Sequence, residues 1–250
     1  MEKNEYTVMA AVEDRHWWYG GMRAIVSALL DEVYAGRRDL AILDAGCGTG
    51  ANVRFLSRYG SVVGIDLAPE ALELAGARSP GVLARGSVLQ LPYRNSAFDL
   101  VTSFEVLYHR AVPDERPALR EVRRVLRPRG RLLLRLPAFE LLRGRHDEAV
   151  HGRRRYTAAD VRALLEPQGF AIERLSYCNS LLLPLPLAQR LAERLSGSHN
   201  EQKHASDLSM LPGPLNEAMR WPMAAEAAWF ARGYSFPAGL SVICRAVRTS

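Results

Sequence analysis

Apolar residues follow two different periods along this chain. Short unbroken runs at Leu40 to Leu43, Val62 to Ile65, Val82 to Ala84, Phe98 to Ser103 and Arg131 to Leu136 read as buried strands. Between them the apolar positions recur at helical spacing. Ile25, Val26, Leu29, Leu30 and Val33 mark a helix within Met22 to Tyr34, and others are predicted over Ala51 to Tyr59, Pro69 to Arg78 and Arg116 to Leu126. A further helix over Ala158 to Glu166 and strands over Phe170 to Cys178 and Leu240 to Val247 complete the pattern. Such alternation predicts the α/β class: a doubly wound, mostly parallel seven-stranded sheet of Rossmann-like form.

Before the last strand the pattern breaks. Leu181 to Leu195 is apolar with Pro184 and Pro186, Ser196 to Gly213 is polar and expected to be mobile, and Asn216 to Arg232 has a helical pattern. The chain therefore divides into a lid and helix (1–36), a core (37–179), a helical cap or insertion (180–237) and the final strand of the core (238–250).

Composition changes this picture little. The net charge is +6, but 31 of the 33 basic residues are arginine, Lys3 and Lys203 being the exceptions. That skew reads as GC-rich codon usage rather than a nucleic-acid surface. Three cysteines without metal-site spacing argue against a disulfide framework, and no apolar run reaches the roughly 18 residues of a membrane span. The expectation is a cytoplasmic protein, a monomer or homodimer, with no bound metal and no stable membrane insertion.

Candidate chemistry begins at the first strand. Gly46-Cys47-Gly48-Thr49-Gly50-Ala51 satisfies the pattern G-x-G-x-x-G/A, and Asp66 closes the next strand. Glycines followed by a ribose-binding acid suit either NAD or S-adenosylmethionine. Asp44, just before the turn, would repel a pyrophosphate and attract an ammonium, which favours S-adenosylmethionine.

Four stretches, "ILDAGCGTG", "VVGIDLAPEALELA", "LPYRNSAFDLVTSFEVLYH" and "REVRRVLRPRGRLLL", occur in the order of the class I S-adenosylmethionine-dependent methyltransferase motifs, and the chain resembles that family over residues 12 to 178. "EDRHWWYGGMR" and "HDEAVHGRRRYT" resemble a bacterial subgroup associated with glycan and natural-product pathways. The resemblance implies that Asp44, Gly46, Gly48 and Gly50 cradle the methionine part of the cofactor and that Asp66 binds both ribose hydroxyls. It also implies Leu67 and Val88 on either side of the adenine, with Ser103 and Phe104 near the sulfonium. Two positions depart from the pattern. Ser87 stands where the family has an acid facing the adenine, and Arg129 replaces the first glycine of a Pro-Gly-Gly turn.

Methyl transfer mainly requires placement and exclusion of water, with a base only for a hydroxyl or a protonated amine. His109 is a candidate base or a capping histidine, with Tyr108 and Glu105 beside it. His146, Asp147 and His151 lie next to Arg153, Arg154 and Arg155, a loop read either as a binder of an anionic acceptor or as a self-braced basic segment. His16, Trp17, Trp18 and Tyr19 read as a lid, as a staple under the following helix, or as both, with one tryptophan in the core and Trp18 against the cofactor; Arg23 is placed at the methionine carboxylate. The expected activity is methyl transfer from S-adenosylmethionine, giving S-adenosylhomocysteine, to an oxygen or nitrogen of a small metabolite or a glycan or natural-product precursor. Alternatives are a catalytically silent cofactor-binding partner and an NAD-dependent oxidoreductase. Motifs of nucleic-acid amino- and cytosine-methyltransferases are absent from "TSFEV" and its surroundings.

Overall fold

A computed structural model of the chain describes residues 3–79, 81–188 and 210–249. Seven strands form one sheet: β1 (Leu40–Ala45), β2 (Gly60–Asp66), β3 (Val82–Arg85), β4 (Phe98–Phe104), β5 (Leu126–Pro137), β6 (Phe170–Cys178) and β7 (Ser241–Arg248). Their spatial order is β3-β2-β1-β4-β5-β7-β6, parallel except for β7, which runs antiparallel between β5 and β6. The predicted sheet is therefore present. The reversal of order between β2 and β4 on either side of β1 makes the switch point at which α/β sheets bind ligands, beyond the strands' carboxyl ends.

Helices cover both faces: α1 (Lys3–Val12), α2 (Trp17–Tyr34), α3 (Ala51–Leu56), α4 (Pro69–Gly76), α5 (Glu115–Val125), α6 (Arg145–Ala149), α7 (Ala158–Leu165) and α8 (Gly213–Ala231). Alternation along β1 sends Ile42 to one core and Leu43 to the other. Leu43, Ile65, Val101 and Leu132 pack with Leu119 and Val122 of α5, whereas Ile42, Leu100, Leu133 and Ile243 pack with Ile25, Leu29 and Leu30 of α2 and with Met223 and Phe230 of α8. Gly21 of α2 lets α8 cross closely, since a Cβ there would lie 2.5 Å from Met223 Cβ.

Two helices escape the sequence pattern. Residues 3 to 12, inside the N-terminal lid segment but not read as a helix, form α1, and α6 lies inside the segment read as a basic loop. The stretch expected to be mobile, 196–213, falls almost entirely outside the described residues. Among the described residues no helix is long and apolar enough to cross a membrane, and all three cysteines are free and buried.

Candidate functional site

The turn after β1 is built on three left-handed glycines. Gly46, Gly48 and Gly50 have φ of 91°, 52° and 85°. Gly46 is also crowded: a Cβ there would lie 2.2 Å from Val106 Cγ2, so the chain after β4 rests directly on the turn. Asp44 beneath it is buried. Its Oδ1 accepts from Thr102 Oγ1 at 2.7 Å, while Oδ2 is buried with no hydrogen-bond partner among the described residues. Burial pushes its pKa up to about 7; the Thr102 bond opposes the shift and the nearby Asp66 charge adds to it. A buried acceptor of this kind is stabilised by a donor, and a charged one such as an ammonium suits it best.

At the end of β2, Asp66 accepts from Gly48 N at 2.9 Å through one oxygen and from Ala68 N at 3.0 Å through the other. Each oxygen keeps a lone pair for a second donor. The paired carboxylates and the glycine turn thus fit a nucleoside-linked amino acid. Leu67, Ser87 and Val88 line the same cavity, although Ser87 Oγ already accepts from Leu89 N at 3.2 Å.

That cavity, about 710 Å³, runs from Asp66 past the turn to the ends of β4, β5 and β6. It brings together Trp18, Arg23, Gly46, Gly48, Asp66, Leu67, Ser87, Val88, Phe104, Tyr108 and His109 of the expected residues. Ser103 lies outside its lining, because strand alternation turns Thr102 and Phe104 to one side of β4 and Ser103 to the other; its Oγ is buried without a partner among the described residues. Gly50 lies behind the turn, against Ala75, and Asp44, beneath the turn, is not part of the lining either. Both Trp17 and Trp18 line the cavity half-buried, instead of one entering the core.

Arg23 donates through both Nη atoms to the Glu13 carbonyl, which holds it across the end of α1. Exposed Arg129 sits at φ 62°, a conformation that explains why glycine is favoured there, and it does not line the cavity.

His109 faces the cavity, but its Nδ1 accepts from Ala111 N at 3.0 Å. In the neutral ring that bond places the proton on Nε2. Burial, with the charges of His151 and Arg110 adding to it, lowers its pKa to about 4. It is therefore a ring that caps the turn, with a donor edge, the second of the two roles the sequence offered it. His151 stacks on it at 5.7 Å and is not part of the lining. His146 lies in α6, and its side chain is outside what the structure describes. The arginines divide: Arg153 and Arg154 both bond the buried Glu115, whereas Arg155 forms a two-point pair with the buried Asp147 at the cavity wall. Bracing within the loop is therefore seen for Arg155 with Asp147, whereas Arg153 and Arg154 are held from outside it, by Glu115 of α5. Among the described residues no group of three His, Cys, Asp or Glu side chains is arranged to hold a metal.

Several lining residues have no counterpart in the sequence reading. Tyr6 and Met9 of α1 lie over the turn, and burial beside Asp66 pushes the Tyr6 pKa up to about 12. Buried Glu13 accepts from Thr49 Oγ1 at 2.5 Å and pairs with Arg78, while Asp14 pairs with Arg54 and Arg78. These bonds fasten the end of α1 to the glycine turn. Arg135 of β5 lies between the rings of Trp18 and Phe104, at 5.2 and 5.1 Å, and pairs with Glu105. Asn179, just past β6, is 1% exposed. The spacing Tyr6, Met9, Glu13 is a faint helical stripe; nothing local marks the rest.

Residues 43–134 match the family described as "Methyltransferase domain". The chain is 36% identical over 151 residues to the ubiquinone biosynthesis O-methyltransferase of Xanthomonas oryzae pv. oryzae, a match covering 53% of this chain and 60% of that one. It spans about half the length of the curated relatives it matches. Among solved structures, an S-adenosylmethionine dependent methyltransferase from Mesorhizobium loti superposes with a TM-score of 0.57 at 19% identity, over 90% of this chain and 98% of that one. Phosphoethanolamine N-methyltransferase 2 of Haemonchus contortus, in complex with S-adenosyl-L-methionine, gives 0.59 at 15% identity, over 93% of this chain and 53% of that one.

Proposed function

We propose, for a chain whose residues 43–134 are a methyltransferase domain on the class I S-adenosylmethionine-dependent fold, that it moves a methyl group from S-adenosylmethionine to an oxygen or nitrogen of a small metabolite or of a glycan or natural-product precursor. The observation that carries this reading is the unpartnered Oδ2 of buried Asp44 below the glycine turn, with Asp66 at the neighbouring strand end. In it, Asp44 takes the methionine ammonium, Asp66 the ribose hydroxyls, and Leu67 and Val88 the adenine. When bound, the cofactor supplies a methyl group on a positively charged sulfur. The protein's part is to hold the acceptor in line and keep water out, which suits a cavity lined by Trp17, Trp18 and Met9. The name of the Xanthomonas relative, an O-methyltransferase, supports oxygen as the acceptor atom.

The test is calorimetric titration of the ligand-free protein with S-adenosylhomocysteine and, in parallel, with NADH. Binding of the first alone is expected; binding of NADH alone would overturn the reading and return Asp44 to a structural role. Incubation with labelled S-adenosylmethionine and an acceptor panel then separates an enzyme from a silent binder.

A pH dependence follows. An ammonium beside Asp44 favours its charged form, so the bound pKa lies below the free value of about 7. Affinity for S-adenosylhomocysteine is then full above pH 7 and weakens as the pH falls through it, by up to about tenfold per unit until the bound pKa is reached. Dissociation constants between about pH 5.5 and 8.5 are expected to show this slope, and Asp44→Asn to flatten it. A flat profile in the wild type would place the ammonium elsewhere.

A further inference from the structure

At the far end of the cavity, away from Asp66, three polar residues converge. Glu105 follows β4 with φ 58°, a strained conformation for a side-chain-bearing residue. Its Oε1 accepts from Arg135 Nε at 3.0 Å and from Ser241 Oγ at 3.4 Å. Its Oε2 receives no hydrogen bond from the described residues, and the residue lines the cavity. One oxygen is thus tethered by two donors while the other keeps its lone pairs for a ligand.

Asn179 supplies the second observation. It is 1% exposed, lines the cavity, has φ 56°, and neither its Oδ1 nor its Nδ2 has a hydrogen-bond partner among the described residues. A buried amide with both ends unpaired is costly unless a ligand meets it. The turn that presents it is held from α8, where the carboxylate of fully buried Glu226 accepts from Leu181 N at 2.8 Å.

We propose that Glu105 is the catalytic base of this enzyme and Asn179 its acceptor-orienting residue, so that the acceptor is a hydroxyl compound with a second hydrogen-bonding group. This rests on the methyltransferase reading above and narrows it to oxygen. As the new carbon–oxygen bond forms and the carbon–sulfur bond breaks, the sulfur keeps that bond's electron pair and the hydroxyl proton passes to Oε2 of Glu105. Arg135 and Ser241 are positioning residues, fixing Oε1 so that Oε2 is presented. Burial raises the Glu105 pKa, with Arg135 and Arg155 opposing, which strengthens it as a base. The other titratable groups facing it are Tyr108 and Cys178. The bond to Nδ1 leaves His109 unsuited to the same task.

The experiment uses the full chain, labelled S-adenosylmethionine, catechol as the hydroxyl probe and benzylamine as the amine probe. The wild type is expected to methylate catechol. Glu105→Gln, which keeps shape and the Arg135 bond, is expected to lower kcat by about a hundredfold or more and, at saturating S-adenosylmethionine, to remove the acid limb of the rate profile. Its S-adenosylhomocysteine affinity should stay within about twofold of the wild type. Asn179→Gly, which keeps the left-handed backbone accessible, should weaken calorimetric binding of catechol to the S-adenosylhomocysteine-saturated protein about tenfold and raise KM more than it lowers kcat. A Glu105→Gln rate within about threefold of the wild type overturns the proposal. So does transfer to benzylamine alone, or no transfer to catechol by a wild type that binds S-adenosylhomocysteine. Failure of S-adenosylhomocysteine to bind would instead remove the function reading beneath it.

Discussion

Replacing Asp66 with alanine is expected to weaken S-adenosylhomocysteine binding by about a hundredfold or more while the protein stays folded. On the proposed placement each carboxylate oxygen accepts from one ribose hydroxyl. Hydrogen bonds to a charged group contribute about 1.5–3 kcal/mol apiece, so losing two exceeds the 2.7 kcal/mol that corresponds to roughly a hundredfold. Asp66 also holds the turn, through Gly48 N and Ala68 N. Both amides lie at the cavity and can turn to water, so the expected loss of stability is about 1 kcal/mol. Asp66→Asn, which keeps one acceptor, should fall between alanine and the wild type. Calorimetry gives the affinity and thermal unfolding the stability. Unchanged affinity in a folded Asp66→Ala protein would move the ribose away from β2.

Gly46→Ala is expected to act on the fold itself. A residue at φ 91° bearing a Cβ is strained by about 1–3 kcal/mol, and the 2.2 Å approach to Val106 Cγ2 adds overpacking of similar size. The sum, roughly 2–6 kcal/mol, predicts a fall in Tm of about 4–24 °C for a chain of this length. The source of the loss can be separated. Val106→Ala in the same chain removes the methyl in collision, so the double variant should be more stable than Gly46→Ala alone, although single loss of the Val106 methyls is itself destabilising. Gly20→Ala is the control: no atom lies within 4 Å of its Cβ position inside α2, and helix propensity predicts a neutral to slightly stabilising change. If Gly46→Ala melts with the wild type, the turn is less tightly seated against Val106 than the 2.2 Å approach implies.

The parts of the molecule that were legible in the sequence are those whose cause is local. Runs such as Leu40 to Leu43 and the spacing Ile25, Val26, Leu29, Leu30 specify strand and helix through burial alone, and both lie where that pattern places them. The glycine turn was legible because only glycine takes three left-handed positions cheaply. Helix α1 was hidden because its apolar residues, Val8 to Val12, run together after a polar start and so show no clear helical spacing. What distant residues decide could not be read. Arg153 and Arg154 stand beside each other as a basic run, yet they share Glu115, almost forty positions earlier. Likewise the role of His109 turns on which ring nitrogen meets Ala111 N, and Asn179 gains its interest only from the missing partners around it. Sequence spacing contains neither fact.

The place of β7 has a consequence for how the chain is made. It fills the gap between β5 and β6, pairing with both along nearly its whole length. During synthesis β1 to β5 can zip together as they emerge, but β6 leaves the ribosome with no strand to lie against. Until residues 241–248 arrive, β5 and β6 each expose an apolar edge, and Leu134, Leu136 and Tyr177 lack their final cover. The late step is thus the arrival of one strand that joins β6 to the rest of the sheet. A nascent chain stalled or cut before it would be open to strand exchange with its neighbours, even with its glycine turn already complete.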